Sequence, residues 1–202
     1  MILAIDMGNT NIKVGLVWDK DGEKINEERL MTDYNKTSME YALMMMSIMD
    51  YYGVKKEDFD GAVLSSVVPP LTGVVETAVK KALGLSPVIV NGGMKMSISL
   101  DKFPIPKILG ADLIIGAEAG FRLYKPPVII ISMGTATTLS LVGKDGRFEG
   151  GLILPGLKTS ISALASGTAQ LPEIDLSRPG SVITVDTMES MRSGIIYGSA
   201  SQ

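Results

Sequence analysis

Two short segments, far apart in the chain, carry the same arrangement of glycine and polar side chains. The first reads Asp6-Met7-Gly8-Asn9-Thr10 and the second reads Ser132-Met133-Gly134-Thr135-Ala136. A glycine lets the backbone approach a ligand closely, and the N–H groups that follow can donate to phosphate oxygens together with the Asn9, Thr10 or Thr135 side chains. A plain hairpin turn is the alternative for either segment alone. Because the segment occurs twice, we interpret the pair as two phosphate-binding loops that face each other.

The two segments differ at one position that bears on chemistry. The first has Asp6 where the second has Ser132, so a carboxylate in one becomes a hydroxyl in the other. Asp6 would not contact phosphate directly, and we expect it to hold a hydrated cation or to orient a bridging water. Thr135 aligns with Asn9 and is expected to face the same cleft, whereas the threonines at 137–138 also suit a strand.

Two further residues could take part in phosphate chemistry. Asp112 follows a glycine at the predicted start of a helix. It is either a general base that takes a hydroxyl proton during phosphoryl transfer or a carboxylate that caps the helix or complements its dipole. The local pattern alone favours the second role. Lys13 lies just past the first loop, where it either reaches phosphate or points into solvent.

The amino-acid composition and net charge exclude several classes of partner and of metal site. A net charge of −3 over 202 residues, with scattered lysines and arginines, argues against nucleic acid as a partner. The chain has neither cysteine nor histidine, which excludes disulfides and the usual zinc sites and leaves proton transfer to carboxylates, lysines or tyrosines. The apolar stretches 1–5 and 41–52 are too short for a signal peptide core or a bilayer span. We therefore expect a cytoplasmic protein without a membrane partner.

The elements that must position these residues follow the same order in both halves. Hairpin turns are predicted at Asp21-Gly22 and at Asp145-Gly146, and Thr37 with Glu40 has the spacing of a helix-capping box. Strands are expected over 2–5, 12–18, 24–32, 61–68, 87–90, 128–131, 139–142 and 147–154, a loop over 132–138, and helices over 38–52, 71–83, 110–123, 158–165 and 187–199. This order predicts an α/β fold with a duplicated βββαβα unit. Its lobes, 1–109 and 110–202, would enclose a ligand cleft.

Together these motifs resemble the type III pantothenate kinases, members of the superfamily of acetate kinases, sugar kinases, chaperones and actin. The matching stretches occur in the family's order and span nearly the whole chain. They are Ala4-Ile5-Asp6-Met7-Gly8-Asn9-Thr10-Asn11, Ser65-Ser66-Val67-Val68-Pro69, Leu109-Gly110-Ala111-Asp112, Gly134-Thr135-Ala136-Thr137-Thr138, Gly150-Gly151-Leu152-Ile153-Leu154-Pro155-Gly156, Leu171-Pro172, Thr187, and Ser193-Gly194-Ile195-Ile196-Tyr197-Gly198.

The resemblance implies ribonuclease H-like lobes and ATP-dependent phosphorylation of pantothenate to 4′-phosphopantothenate, the first step toward coenzyme A. It implies Asp112 as the catalytic base, Mg²⁺, a monovalent cation (K⁺ or NH₄⁺) at the position of Ser132, Asp6 acting on metal through water, and a homodimer. The implied ATP-binding residues are Asp6, Gly8, Asn9, Thr10, Asn11, Lys13, Gly134 and Thr135. The implied substrate-binding positions are Phe103, Gly110, Ala111, Asp112, Leu113 and Thr187.

The chain departs from the family pattern at several of these positions. The family has an arginine directly after the catalytic aspartate, and Leu113 cannot stabilise anionic oxygens as an arginine does. It has an aspartate where this chain has Ser132, whose hydroxyl is a weaker ligand for a hard cation. The other replacements are Ser140 for an acidic residue, Phe103 for a tyrosine and Thr184-Val185-Asp186 for a glycine-bearing turn. The chain also ends at Gln202, before the terminal helix and glycine-rich strand end of the family's nucleotide pocket.

Four interpretations are open. The first is a working pantothenate kinase, which rests on Asp6, Asp112, Thr135 and Thr187 occurring together. The second is a catalytically impaired homologue that binds nucleotide or a pantothenate-like ligand in a regulatory role. The third is a kinase of the same superfamily acting on another hydroxylated substrate, and the fourth is a protein that serves assembly only. We take the first as the prediction.

Overall fold

The computed structural model of the chain describes residues 1–18, 25–103 and 109–201, and shows an α/β protein with two sheets. The predicted Asp21-Gly22 turn and Gln202 lie outside the described residues. The strands are β1 (Ile2–Met7), β2 (Asn11–Val17), β3 (Ile25–Met31), β4 (Gly61–Ser66), β5 (Val88–Ile89), β6 (Val128–Met133), β7 (Ala136–Val142) and β8 (Phe148–Pro155). The α-helices are α1 (Ser38–Tyr51), α2 (Pro69–Leu83), α3 (Ala111–Leu123), α4 (Leu157–Gly167) and α5 (Thr187–Ser201).

The first sheet has the order β3-β2-β1-β4-β5, with β1 antiparallel to β2 and parallel to β4. Alternate residues of its strands face α1 and α2 and form the larger hydrophobic core. The capping box predicted for α1 is confirmed, because the Glu40 N–H donates to Thr37 and the Thr37 N–H donates to Glu40. Helix α2 begins at a proline and ends at Gly84, whose φ of 75° is left-handed.

The second sheet repeats the first three strands in the order β6-β7-β8. The antiparallel pairing repeats with a shift of one residue, because four residues lie between the paired Met7 and Ile12 and three between the paired Met133 and Thr137. The repeat is complete only in the first half. In the described chain, no strand separates α4 from α5, and β6 has no partner on the edge where β1 pairs with β4.

The predicted loop over 132–138 is wrong in extent. Ser132 and Met133 end β6, and Ala136 begins β7, so only Gly134 and Thr135 form the turn. The β-branched threonines that follow favour an extended backbone, which carries the strand up to the turn.

Helix α3 packs closely on the second sheet. A side chain at Gly120 would bring its Cβ within 2.8 Å of Ile130 Cγ1, so glycine permits this approach. The second hydrophobic cluster joins Ile114 on α3 to Val142 and Phe148 on the sheet, and it includes Ile98 from the preceding segment. The boundary between lobes at 109/110 stays a prediction, and residues shortly before it pack on the second sheet.

Glu118 ties α3 to that preceding segment. The backbone N–H groups of Ser97 and Ile98 donate to its carboxylate at 2.9 and 3.1 Å, and Arg122 donates from the next turn. Burial raises the pKa of Glu118, but the hydrogen bonds from Ile98, Ser97 and Arg122 outweigh it and leave the pKa below its ordinary value. The helix that carries Asp112 is thus anchored. None of the helices in the described ranges is long and apolar enough to cross a bilayer.

Candidate active site

The two predicted loops meet at the mouth of one cleft. The hydroxyl oxygens of Thr10 and Thr135 lie 2.9 Å apart and form a hydrogen bond across it. The cleft has a volume of about 740 Å³. Ten of the predicted site residues line it: Asp6, Gly8, Asn9, Thr10, Asn11, Lys13, Asp112, Ser132, Gly134 and Thr135. The structure therefore brings the whole predicted ATP-binding set into one place, and the binding role of each residue stays a prediction.

The first loop is held by the end of β3. The Gly8 N–H donates to the Asn11 carbonyl at 2.9 Å, and the Thr32 hydroxyl donates to the Gly8 carbonyl at 2.7 Å. The Tyr34 hydroxyl donates to the Asn9 side-chain oxygen at 3.2 Å. A Cβ on Gly8 would lie 3.1 Å from the Asn11 carbonyl oxygen, which is a tight contact. These bonds fix the turn before any ligand arrives.

The second loop is held by the end of β8 and the start of α4. The Gly156 N–H donates to the Thr135 carbonyl at 3.0 Å, and the Thr159 hydroxyl donates to the same oxygen at 2.6 Å. A Cβ on Gly156 would lie only 2.1 Å from the Gly134 carbonyl oxygen, so no side chain fits there. Sequence reasoning missed Thr159, which shows its role only once α4 is placed.

A row of polar residues crosses the first sheet beneath the loops. In the strand register, Asp6 on β1 pairs with Lys13 on β2 and with Ser65 on β4, and Lys13 pairs with Arg29 on β3. Directly paired residues point to the same face, and the Ser65 hydroxyl donates to Asp6 at 3.1 Å. Arg29 lines the same cleft as Lys13. It was missed because its position opposite Lys13 is visible only in the register.

Asp112 lies on the cleft wall in the first turn of α3, with an exposed carboxylate. The helix N-cap is Gly110, so Asp112 is not the N-cap residue, and the alternative that its carboxylate complements the helix dipole stays a prediction beside the role of a base. Its Oδ1 accepts the Leu113 N–H at 2.9 Å. A Cβ on Gly110 would lie 2.6 Å from this oxygen, so the glycine leaves room for the carboxylate.

The other predicted substrate positions do not line this cleft in the described residues. Phe103 packs edge-on against Phe148, with ring centroids 5.2 Å apart. Ala111 is buried and Leu113 is half-buried on α3. Thr187 is the exposed first residue of α5. Of the predicted substrate-binding set, Asp112 alone borders the cleft, and the roles of the others stay predictions.

A second cavity of about 450 Å³ adjoins the cleft between the open face of the first sheet and α3. It shares four polar residues with the cleft, namely Asp6, Lys13, Asp112 and Ser132. Small and apolar residues supply much of its remaining wall, including Ala4, Gly15, Val63, Ile115 and Gly116. Asp112 thus borders both the larger cleft between the glycine loops and the smaller cavity beside it.

The donor set of the cleft suits a metal that arrives with phosphate. Asp6 and Asp112 are its carboxylates, and the described residues contain no cluster of three or more acidic, histidine or cysteine side chains. Mg²⁺ is commonly bound by one or two carboxylates together with substrate phosphates, so the two aspartates fit it. Ser132 adds only a neutral hydroxyl.

Comparisons with known protein sequences agree on one family. The sequence model described as type III pantothenate kinase matches residues 2–202. A type III pantothenate kinase of Finegoldia magna is 43% identical over 198 residues, covering 98% of this chain and 74% of that protein. One of Halalkalibacterium halodurans is 40% identical over 202 residues, covering 100% of this chain and 78% of that protein.

Among solved structures, a Campylobacter jejuni protein described as a conserved Baf family transcriptional activator has a TM-score of 0.55 at 15% identity. The match covers 98% of this chain and 75% of that one. At this identity the likeness shows the fold alone.

Proposed function

Because the chain belongs to the type III pantothenate kinase family, we propose that it phosphorylates pantothenate with ATP to give 4′-phosphopantothenate. The observation that carries this proposal is the convergence of both glycine loops and Asp112 on one cleft. A kinase needs a phosphate cradle and a base within the same water-accessible space. The impaired-homologue alternative has no comparable support, since the first loop and Asp112 are both present.

Different residues of the cleft would carry out different parts of the reaction. The primary hydroxyl of pantothenate lies toward Asp112, whose carboxylate accepts the hydroxyl proton as the oxygen attacks the terminal phosphorus. The new O–P bond forms as the bond to the bridging oxygen of ADP breaks, and ADP leaves with that electron pair. Backbone N–H groups beside Gly8 and Gly134 and the Lys13 ammonium bind the phosphate oxygens.

Membership of a kinase family implies ATP and a divalent metal. When bound, Mg²⁺ would neutralise phosphate charge, and Asp6 would hold its hydration shell through water. We place the monovalent cation, K⁺ or NH₄⁺, beside Ser132, where it would have a weak protein ligand. The apolar wall of the second cavity, with Val63 and Ile115, would receive the carbon skeleton of the substrate next to Asp112.

The proposal extends to assembly. We place two lobes at 1–109 and 110–202 and a homodimer in solution. Support for the dimer comes from the family resemblance and from large apolar side chains that are exposed on the second sheet, among them Ile129, Ile131 and Met133.

Asp112→Asn tests the catalytic part of the proposal. We expect pantothenate-dependent ADP release to fall about 10²- to 10⁴-fold, because the amide cannot accept the proton. Asp186→Asn is the matched control, since Asp186 caps α5 by accepting the Glu189 N–H at 2.9 Å and asparagine caps helices equally well. ADP release that depends on pantothenate and ATP, measured with and without K⁺, is the readout. Turnover in Asp112→Asn equal to that of the wild type would contradict the assignment.

A further inference from the structure

We propose that Arg29 on β3 is a nucleotide-phosphate ligand that acts together with Lys13. This inference rests on the proposed function and adds to it a cation that the sequence motifs do not contain. Arg29 lines the cleft between the two glycine loops, on the side of the first sheet. It stands directly opposite Lys13 in the β2–β3 register, so the two side chains share a face.

Binding of an anionic nucleotide in this cleft requires positive charge to offset the phosphates and the two carboxylates of the wall. Asp6 and Asp112 contribute two carboxylates to its wall, and Lys13 and Arg29 are the cations among the residues that line it. A nucleoside triphosphate brings several further negative charges, of which one Mg²⁺ neutralises two. Arg29 is therefore half of the fixed positive charge that the described wall can offer to phosphate.

Arg29 and Lys13 have no ion-pair partner among the described residues. Three other arginines do, since Arg122 pairs with Glu118, Arg147 with Asp101, and Arg192 with Asp175. Two cations placed directly opposite each other across strands repel. The Asp6 carboxylate opposite Lys13 on β1 offsets part of that repulsion, whereas the residue directly opposite Arg29 is Lys13 and not an acid. A phosphate group bound beside Arg29 would supply the negative charge that it lacks there.

Arginine suits the role by geometry. Its planar guanidinium offers parallel N–H donors that match two oxygens of one phosphate group, whereas a lysine supplies a single point charge. The neighbouring strands are about 4.8 Å apart, so Arg29 lies one strand beyond Lys13 from the Asp6 loop. From there it extends the phosphate wall along the sheet.

The test is calorimetric titration of the full chain with a non-hydrolysable ATP analogue and Mg²⁺. We expect Arg29→Gln to weaken analogue binding about 10- to 100-fold and Arg29→Lys to weaken it less, because a charge-assisted hydrogen bond is lost or only partly kept. Arg178→Gln is the matched control, since Arg178 is exposed and has no ion pair with a described residue. It should bind the analogue like the wild type.

Thermal melting without nucleotide separates binding from folding. Arg29→Gln should melt at the wild-type temperature or above it, because one of two repelling cations is gone. Unchanged analogue affinity in Arg29→Gln, or a lower melting temperature that accounts for the lost affinity, would overturn the inference while leaving the proposed kinase intact. A wild-type chain that does not bind the analogue would overturn the proposed function as well.

Discussion

The same three strands occur twice in this protein, and their equivalent residues meet opposite environments. On β1, Leu3, Ile5 and Met7 are 0%, 2% and 0% exposed beneath α1 and α2. On β6, the equivalent Ile129, Ile131 and Met133 are 61%, 60% and 70% exposed. The two strands are similar in sequence and both pair antiparallel with the next strand, although the turn after β6 is one residue shorter. The helices and strands that each half places around them also differ, and these decide the exposure.

The first half covers β1 both on its apolar face and along its edge. Helices α1 and α2 pack on the apolar face of the sheet, and β4 pairs with the edge of β1 that β2 leaves free. In the second half, α3 packs on the opposite face of the sheet, against Ile130, and within the described residues β6 pairs only with β7. The cleft is nevertheless bordered by both halves, because the turn after β1 and the turn after β6 both reach it. The two loops can thus meet at one cleft although the sheets that carry them are covered to different extents.

The largest effect should be a difference in unfolding free energy between alanine substitutions on the buried face of β1 and on the exposed face of β6. Ile5→Ala should lower the free energy of unfolding by about 2–5 kcal/mol, because it leaves a cavity in a closed core. In the dissociated chain, at low protein concentration, Ile131→Ala at the equivalent position should cost less than about 1 kcal/mol, since its side chain is mostly exposed there. Urea denaturation of both variants and the wild type measures the difference.

Protein concentration provides the control for that comparison. A loss in Ile131→Ala that matches Ile5→Ala at every concentration would show the second face to be covered within one chain. A loss that grows with protein concentration would show that a second copy covers it, as the proposed homodimer allows.

A smaller loss of stability should follow from substitution of the glycine that packs against the second loop. Gly156→Ala should destabilise the protein by about 1–3 kcal/mol, because its Cβ would meet the Gly134 carbonyl oxygen at 2.1 Å and that backbone must move. Gly134→Ala is the matched control in the same loop, where the nearest atom to the added Cβ is 3.7 Å away. Thermal melting of the two variants checks the order. If Gly134→Ala were the more damaging, the second loop would not depend on β8 for its shape.

Local sequence signals predicted much of this fold, because they act over a few residues. The capping box, the proline start of α2 and the Gly84 end are short-range features and are found as expected. The two loops were expected to share a cleft, and they do so through the Thr10–Thr135 hydrogen bond.

The features that escaped the sequence depend on packing between distant segments. Arg29 acquires its place through strand register, and Thr159 through the docking of α4. The packing of Phe103 on Phe148 likewise joins residues far apart in the chain. The exposure of Ile131 could not be predicted either, since its strand reads like β1. A local pattern shows which face is apolar but not what covers it.

The smallest effect should come from restoring the missing acid. Ser132 and Asp6 are equivalent in the repeat, and both line the cleft and the adjoining cavity. Ser132→Asp would supply a charged oxygen for a hard monovalent cation, which a neutral hydroxyl binds weakly. We therefore expect stimulation of turnover by K⁺ to rise by a few-fold, on the order of 1 kcal/mol or less for a partly solvated charge. Ser132→Asn keeps similar size without charge and should leave the K⁺ response at its wild-type level. Turnover measured against K⁺ at constant ionic strength decides this point. An equal K⁺ response in both variants would mean that the second loop does not form the cation site, and that the asymmetry between Asp6 and Ser132 has no part in it.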